Sequence, residues 1–205
     1  MLRSHLARLV ALGAAGALIG TALTAGPASA APATISNAAP IAYTCTLPVP
    51  NAPSEPPLTF TLDNTFTVQK AVRSGKGAPA VPVSDALTFR PDALSALASL
   101  VTAAGVSTVG GTFDGGFGLY GKAYDATFPI PALQVTDLTA LLGTPITLTG
   151  TLPAPSSGRG AERLTAPSFV FVTFPGLQIA KLGCYDDGSA HVIGKLMLKP
   201  WKNKK

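Results

Sequence analysis

Leu58-Thr59-Phe60-Thr61-Leu62-Asp63-Asn64-Thr65-Phe66-Thr67-Val68 sets the rhythm of the whole chain. Leu58, Phe60, Leu62, Phe66 and Val68 share one phase, and Thr59, Thr61, Thr65 and Thr67 share the other. A period of two sends successive side chains to opposite faces of a β-strand, so this stretch reads as a strand with one apolar and one hydroxylated face. Asp63-Asn64 interrupts the apolar phase and predicts a kink, giving one long strand or two short ones. Upstream, Tyr43, Cys45 and Leu47 alternate with Thr44 and Thr46, and the prolines of residues 48–57 end that strand because proline cannot donate to a ladder. Downstream, Val81, Val83, Leu87 and Phe89 resume the pattern around a turn predicted at Ser84-Asp85, and Ile146, Leu148 and Leu152 repeat it against Thr147, Thr149 and Thr151.

Three stretches depart from simple alternation. Residues 168–174 are apolar at nearly every position, with Phe169 and Phe171 on one side and Val170, Val172 and Phe174 on the other, which predicts a strand buried on both faces. Residues 91–104 place Leu94, Leu97, Leu100, Val101 and Ala104 at helical spacing, with Pro91 suited to the first turn and Gly105 to the C-terminal cap. This helix is expected to cross over one end of the sheets. Residues 133–142 fit either a strand or a short helical turn. Near the end, Asp186-Asp187-Gly188-Ser189 is turn chemistry joining two strands into a hairpin. About eight or nine short strands with turn signals between them predict an all-β fold, a β-sandwich with one short connecting helix.

The first thirty residues carry a different signature. Arg3 and Arg8 precede an apolar stretch from Leu9 to Leu23, and Ala28-Ser29-Ala30 forms a small-residue cleavage site, the three parts of a secretory signal peptide. The apolar stretch is about fifteen residues long and broken by Gly13, Gly16 and Gly20, short of the roughly 20 needed to span a bilayer. The expectation is export, with a product released or held on the cell envelope without a covalent bond. Cleavage would remove two of the fifteen basic residues of the 205-residue chain and leave thirteen against ten acidic ones, a net charge of +3 on 175 residues. Five of those cations, Lys195, Lys199, Lys202, Lys204 and Lys205, cluster at the end. A short basic tail on a near-neutral body is not the broad basic face of a nucleic-acid binder. The predicted organisation is a signal at 1–30, a flexible leader at 31–40, one β-domain at 41–199 and a basic tail at 200–205.

Cys45 and Cys184 are the two cysteines, and in an oxidising compartment they most simply pair; a metal or a catalytic thiol is the rival reading. Outside the signal, His191 is the one histidine, so any Ser-His-Asp or Cys-His machinery would have to use it, and no Gly-x-Ser-x-Gly elbow is present. It reads as a solvent-facing hairpin histidine. Asp186, Asp187 and Ser189 offer oxygens, but without EF-hand spacing a turn explains them, and no metal or cofactor is predicted. Glycosidase chemistry would need two carboxylates about 5–10 Å apart, and the ten acids mostly occupy turn-like positions such as Asp63, Asp85, Asp92 and Asp114. The most suggestive binding feature is the glycine-rich segment carrying Phe113, Phe117, Tyr120 and Tyr124, whose rings can present flat faces to sugar or peptide, although strand aromatics are more often core. Trp201, set among the terminal lysines, can lean on an anionic polymer or lipid surface.

The order of signal, Tyr43-Thr44-Cys45, threonine-rich strands, the helix running into Val106-Ser107-Thr108-Val109-Gly110, and the late Cys184 resembles uncharacterised secreted actinobacterial domains. The resemblance implies an immunoglobulin-like β-sandwich bridged by Cys45 and Cys184, and it transfers no activity. The function expected is that of an exported, non-catalytic β-sandwich with a binding or structural role toward a wall polymer or an envelope protein. The alternatives are a secreted hydrolase working with a carboxylate pair and a carrier with a small-ligand pocket between its sheets.

Overall fold

The computed structural model describes residues 32–47, 58–177 and 179–202. The predicted signal, the proline-rich break at 48–57 and the last three positions, 203–205, lie outside these residues. Among them the chain is all-β with one α-helix, as the alternation predicts. Twelve strands form: β1 (Thr34–Ser36), β2 (Ile41–Leu47), β3 (Leu58–Gln69), β4 (Ala71–Ser74), β5 (Val81–Phe89), β6 (Thr108–Leu119), β7 (Lys122–Gln134), β8 (Ile146–Leu152), β9 (Gly160–Thr165), β10 (Phe169–Phe174), β11 (Ile179–Tyr185) and β12 (Val192–Pro200). Residues 135–141, left open between strand and helix, form a 3-10 helix.

The strands make one hydrogen-bonded sheet in the order β4-β12-β9-β6-β10-β11-β2-β3-β5-β8, with β1 added on β3 and β7 on β6. The pairing is antiparallel except between β12 and β4. Twelve strands stand where about eight or nine were expected. Cys184 and Cys45 stand directly opposite each other on the adjacent strands β11 and β2, with 4.0 Å between their Cα atoms, and are joined by a disulfide. That separation suits a non-hydrogen-bonded antiparallel pair. The bridge therefore joins two adjacent, hydrogen-bonded strands.

The sheet's inner face carries the core. Phe66 of β3 packs against Phe113 and Phe117 of β6 and Phe128 of β7 at ring-centre distances of 6.2, 5.0 and 6.1 Å. Edge-on and tilted rings at these distances suit the aromatic quadrupole and add to the stabilisation from burial. Of the two forms open at Asp63-Asn64 the single long strand is the one that occurs, and the turn predicted at Ser84-Asp85 is absent. β3 passes through Asp63-Asn64 and β5 passes through Ser84-Asp85 without a break, with Asn64 and Asp85 fully buried. The leader is also not free: Thr34 to Ser36 pair with β3 in the register Thr34↔Gln69 to Ser36↔Thr67. Asn37 locks it there, its Oδ1 accepting the Phe66 N–H at 2.7 Å and its Nδ2 donating to the Ala39 and Asn64 carbonyls.

Helix α1 (Pro91–Ala104) forms where helical spacing predicts it. Arg90 precedes it in extended geometry and grips Asp63 of β3 with two 2.8 Å bonds, while Asp92 in the first turn accepts the Thr61 N–H at 2.9 Å. Gly105, at φ +65°, ends the helix in the left-handed conformation that glycine adopts without strain. Ala93, Leu94, Ala96, Leu97 and Val101 are its buried side. No helix among the described residues is long and apolar enough to cross a membrane.

Candidate functional site

The strand alternation that buries Phe113 and Phe117 leaves their neighbours on the outer face. Both phenylalanines are 0 % exposed, so the binding surface expected from Phe113, Phe117, Tyr120 and Tyr124 does not form as a unit. Their phase in β6 matches the core, and Tyr124 packs against that core from β7. Tyr120 stands exposed in the two-residue turn between β6 and β7, with a positive φ of 54°. Trp201 follows β12 half exposed, its backbone N–H donating to the Ser74 carbonyl at 2.7 Å. That bond extends the sheet into the segment expected to be a loose basic tail.

The outer aromatics come instead from β10 and β11. Phe169 and Phe171, expected to be buried on a second face, are only half-buried, because no further layer among the described residues covers that side of β10. Phe169 sits opposite Tyr185 of β11 and Phe171 opposite Gly183. The Phe169 and Phe171 rings meet edge to face at 4.3 Å, and Phe169 and Tyr185 lie 4.5 Å apart. A side chain at Gly183 would press on the Phe169 ring, so the glycine is what lets that ring lie across β11. Lys181 places Nζ 3.6 Å from the centre of the Phe171 ring. Tyr185, 61 % exposed, makes the outer end of this ridge.

Beside the ridge runs a groove of about 520 Å³ lined by Asp114, Gly116, Asp125, Phe169, Phe171 and Lys181, among others. Register explains the convergence: Phe171 faces Asp114 across β10 and β6, Asp114 faces Thr127 across β6 and β7, and Asp125 faces Gly116. Asp114 is held by hydroxyls on both sides, its Oδ1 accepting from Thr127 at 2.5 Å and its Oδ2 from Thr112 at 3.1 Å. The groove thus joins flat apolar rings, two carboxylates and one ammonium on an outward sheet face. Such a surface can stack on rings and accept hydrogen bonds from hydroxyls. By contrast, two clefts within the packed interior, one beside Phe60 and Leu97 and one beside Leu119 and Leu196, hold about 10 Å³ each.

His191 does not assemble a nucleophile. Ser189 Oγ lies 3.1 Å and Asp187 Oδ1 3.0 Å from the same ring nitrogen, Nε2. A relay needs the hydroxyl on one nitrogen and the carboxylate on the other. Sequence reasoning missed Phe169, Phe171, Lys181, Tyr185 and Asp125 as a group, and the available signal was phase: alternate residues of two neighbouring strands, aromatic on the side opposite the valines. No protein-family model, curated protein or solved structure matches the chain.

Proposed function

We propose that this chain is an exported, non-catalytic binding module of the immunoglobulin-like sandwich type, which holds a glycan of the cell envelope against the outer face of β10 and β11. The observation that carries the reading is the Phe169–Phe171–Tyr185 ridge bordered by Asp114, Asp125 and Lys181. Pyranose rings offer an apolar C–H face to aromatic planes and a rim of hydroxyls to carboxylates and lysine, and the groove's contents match both halves. The disulfide supports an oxidising destination, and the packing of β3 against β6 and β7 supports a layered arrangement of the curled sheet.

The test is retention of the purified, oxidised chain on insoluble wall polysaccharide, with soluble neutral and acidic glycans as competitors. Tyr185→Ala and Phe171→Ala should each weaken retention about tenfold, the loss of roughly 1.4 kcal/mol expected for one stacking contact. Equal retention of wild type and both variants would sink the proposal. The carboxylates in the same groove favour one second reading, a glycoside hydrolase. Release of reducing ends that disappears in Asp114→Asn would favour it over simple binding.

A further inference from the structure

The turn between β11 and β12 is built by two aspartates that each commit one oxygen to local bonds. Asp186 Oδ1 accepts the Gly188 N–H at 2.8 Å. Asp187 Oδ1 accepts the Ser189 N–H at 2.9 Å and the Ser189 hydroxyl at 2.6 Å. A turn accounts for all of these.

A turn does not account for the other oxygen of Asp186. That side chain is only 2 % exposed, since residue 186 continues the inward phase of Leu182 and Cys184 past the end of β11. Its Oδ2 is sealed from solvent with no hydrogen-bond partner and lies 3.6 Å from His191 Nε2. A buried carboxylate oxygen left bare is costly, so such an atom calls for a partner. The imidazole nitrogen it faces is also 3.0 Å from Asp187 Oδ1, and the three atoms lie within 4.8 Å of one another.

These separations have a meaning in coordination chemistry. Oxygen and nitrogen ligands about 2.0–2.2 Å from a common zinc ion stand roughly 3.0–3.5 Å apart at octahedral or tetrahedral angles. The 3.0 and 3.6 Å distances around His191 Nε2 fall close to that spacing. The donor set narrows the ion: calcium and magnesium favour oxygen alone, whereas one imidazole with two carboxylates suits zinc and its first-row neighbours.

We infer that Asp186 Oδ2, Asp187 Oδ1 and His191 Nε2 form a binding site for a divalent transition-metal ion, with zinc as the best fit and water completing the shell on the open side. Without the ion, the tautomer with a hydrogen on Nε2 donates it to Asp187 Oδ1 at 3.0 Å and leaves Asp186 Oδ2, at 3.6 Å, without a hydrogen bond; binding replaces that proton with the metal. Ser189, through its hydroxyl on Asp187, holds one ligand in place as an outer partner. The ion would clamp the end of β11 to the start of β12, two residues beyond the disulfide.

The test uses the full, oxidised chain without a histidine tag, stripped by chelator and titrated calorimetrically with zinc chloride, then with calcium chloride. One zinc per chain is expected. His191→Ala and Asp187→Ala, both changes at accessible side chains, should each weaken it at least about tenfold. Circular dichroism of the chelated variants checks that their fold is intact. Cobalt(II) should give visible absorption bands with wild type and lose them with His191→Ala. His5, the other histidine in the sequence, provides a control: His5→Ala should leave zinc binding unchanged. The inference is overturned by zinc binding insensitive to His191→Ala, by loss of binding in His5→Ala, by calcium binding tighter than zinc, or by no zinc binding up to about 1 mM.

Discussion

Asp85 faces Phe66 of β3 on one side and Leu148 of β8 on the other, fully buried, with neither carboxylate oxygen in a hydrogen bond. Burial pushes its pKa up from 3.8 to about 8; the Thr65 backbone N–H, short of hydrogen-bonding geometry, offsets only part of this. The unfolded chain therefore releases this proton near pH 4, while the folded chain keeps it until about pH 8. Because the folded-state pKa is the higher one, the contribution of Asp85 to stability is greatest in acid, falls by about 1.4 kcal/mol per pH unit through that window, and levels off above it. Asp85→Asn removes the titration and keeps the shape, so its stability advantage over wild type in urea melts should grow from pH 5 to pH 8. A difference independent of pH would mean that Asp85 is solvated in the folded chain. Asn64 and Asp85 also show where sequence reading went astray. Both hold the same inward phase as their apolar neighbours, yet their side-chain chemistry suggested a kink and a turn. Phase was the better guide, because the ladders on either side fix register regardless of one polar residue.

Most of the elements were legible because they are written in local periodicity, whereas the short strands β1, β4 and β9, which carry little alternation of their own, were not. The helix at Pro91–Ala104 needed only its apolar spacing, its leading proline and Gly105, and the alternating strands needed only their threonines. The candidate site was harder, since it is made by register between strands distant in sequence: Phe171 meets Asp114 only because β10 lies beside β6. One consequence can be measured at Gly183. A methyl group there would come within about 3.0 Å of the Phe169 ring and tilt it off β11. Gly183→Ala should therefore weaken glycan retention severalfold while shifting the melting temperature little, because the ring sits on the outer face and has room to move. In the core the balance reverses. Phe66→Ala, which opens a hole between β3 and the β6–β7 pair, should cost about 3–5 kcal/mol in denaturant titration and leave no comparable change in glycan affinity per folded molecule.

At the scale of the molecule the strength of the sheet is uneven. β6 and β7 match along eleven residue pairs, whereas β11 and β2 match along two among the described residues, Cys184↔Cys45 and Tyr185↔Thr44. The β11–β2 and β9–β6 pairings, two residue pairs each among the described residues, are thus the narrow places of the sheet, and the disulfide is the covalent part of the first, a seam between β11 and β2. The sequence shows two cysteines but not their pairing across a seam, which is why a bridge between two sheets was the natural expectation. Linking positions 139 apart should contribute up to about 5 kcal/mol by restricting the unfolded chain, a large share of a typical stability of about 5–15 kcal/mol. The Cys45→Ala, Cys184→Ala double variant should then lose about 3–5 kcal/mol. If the seam is the weak line, the loss should also be local: amide exchange in the variant should rise first in β2 and β11, with the β6–β7 hairpin retaining its protection. Uniform acceleration across all strands would instead mean that the sheet opens as one unit and that the bridge acts only on the unfolded chain.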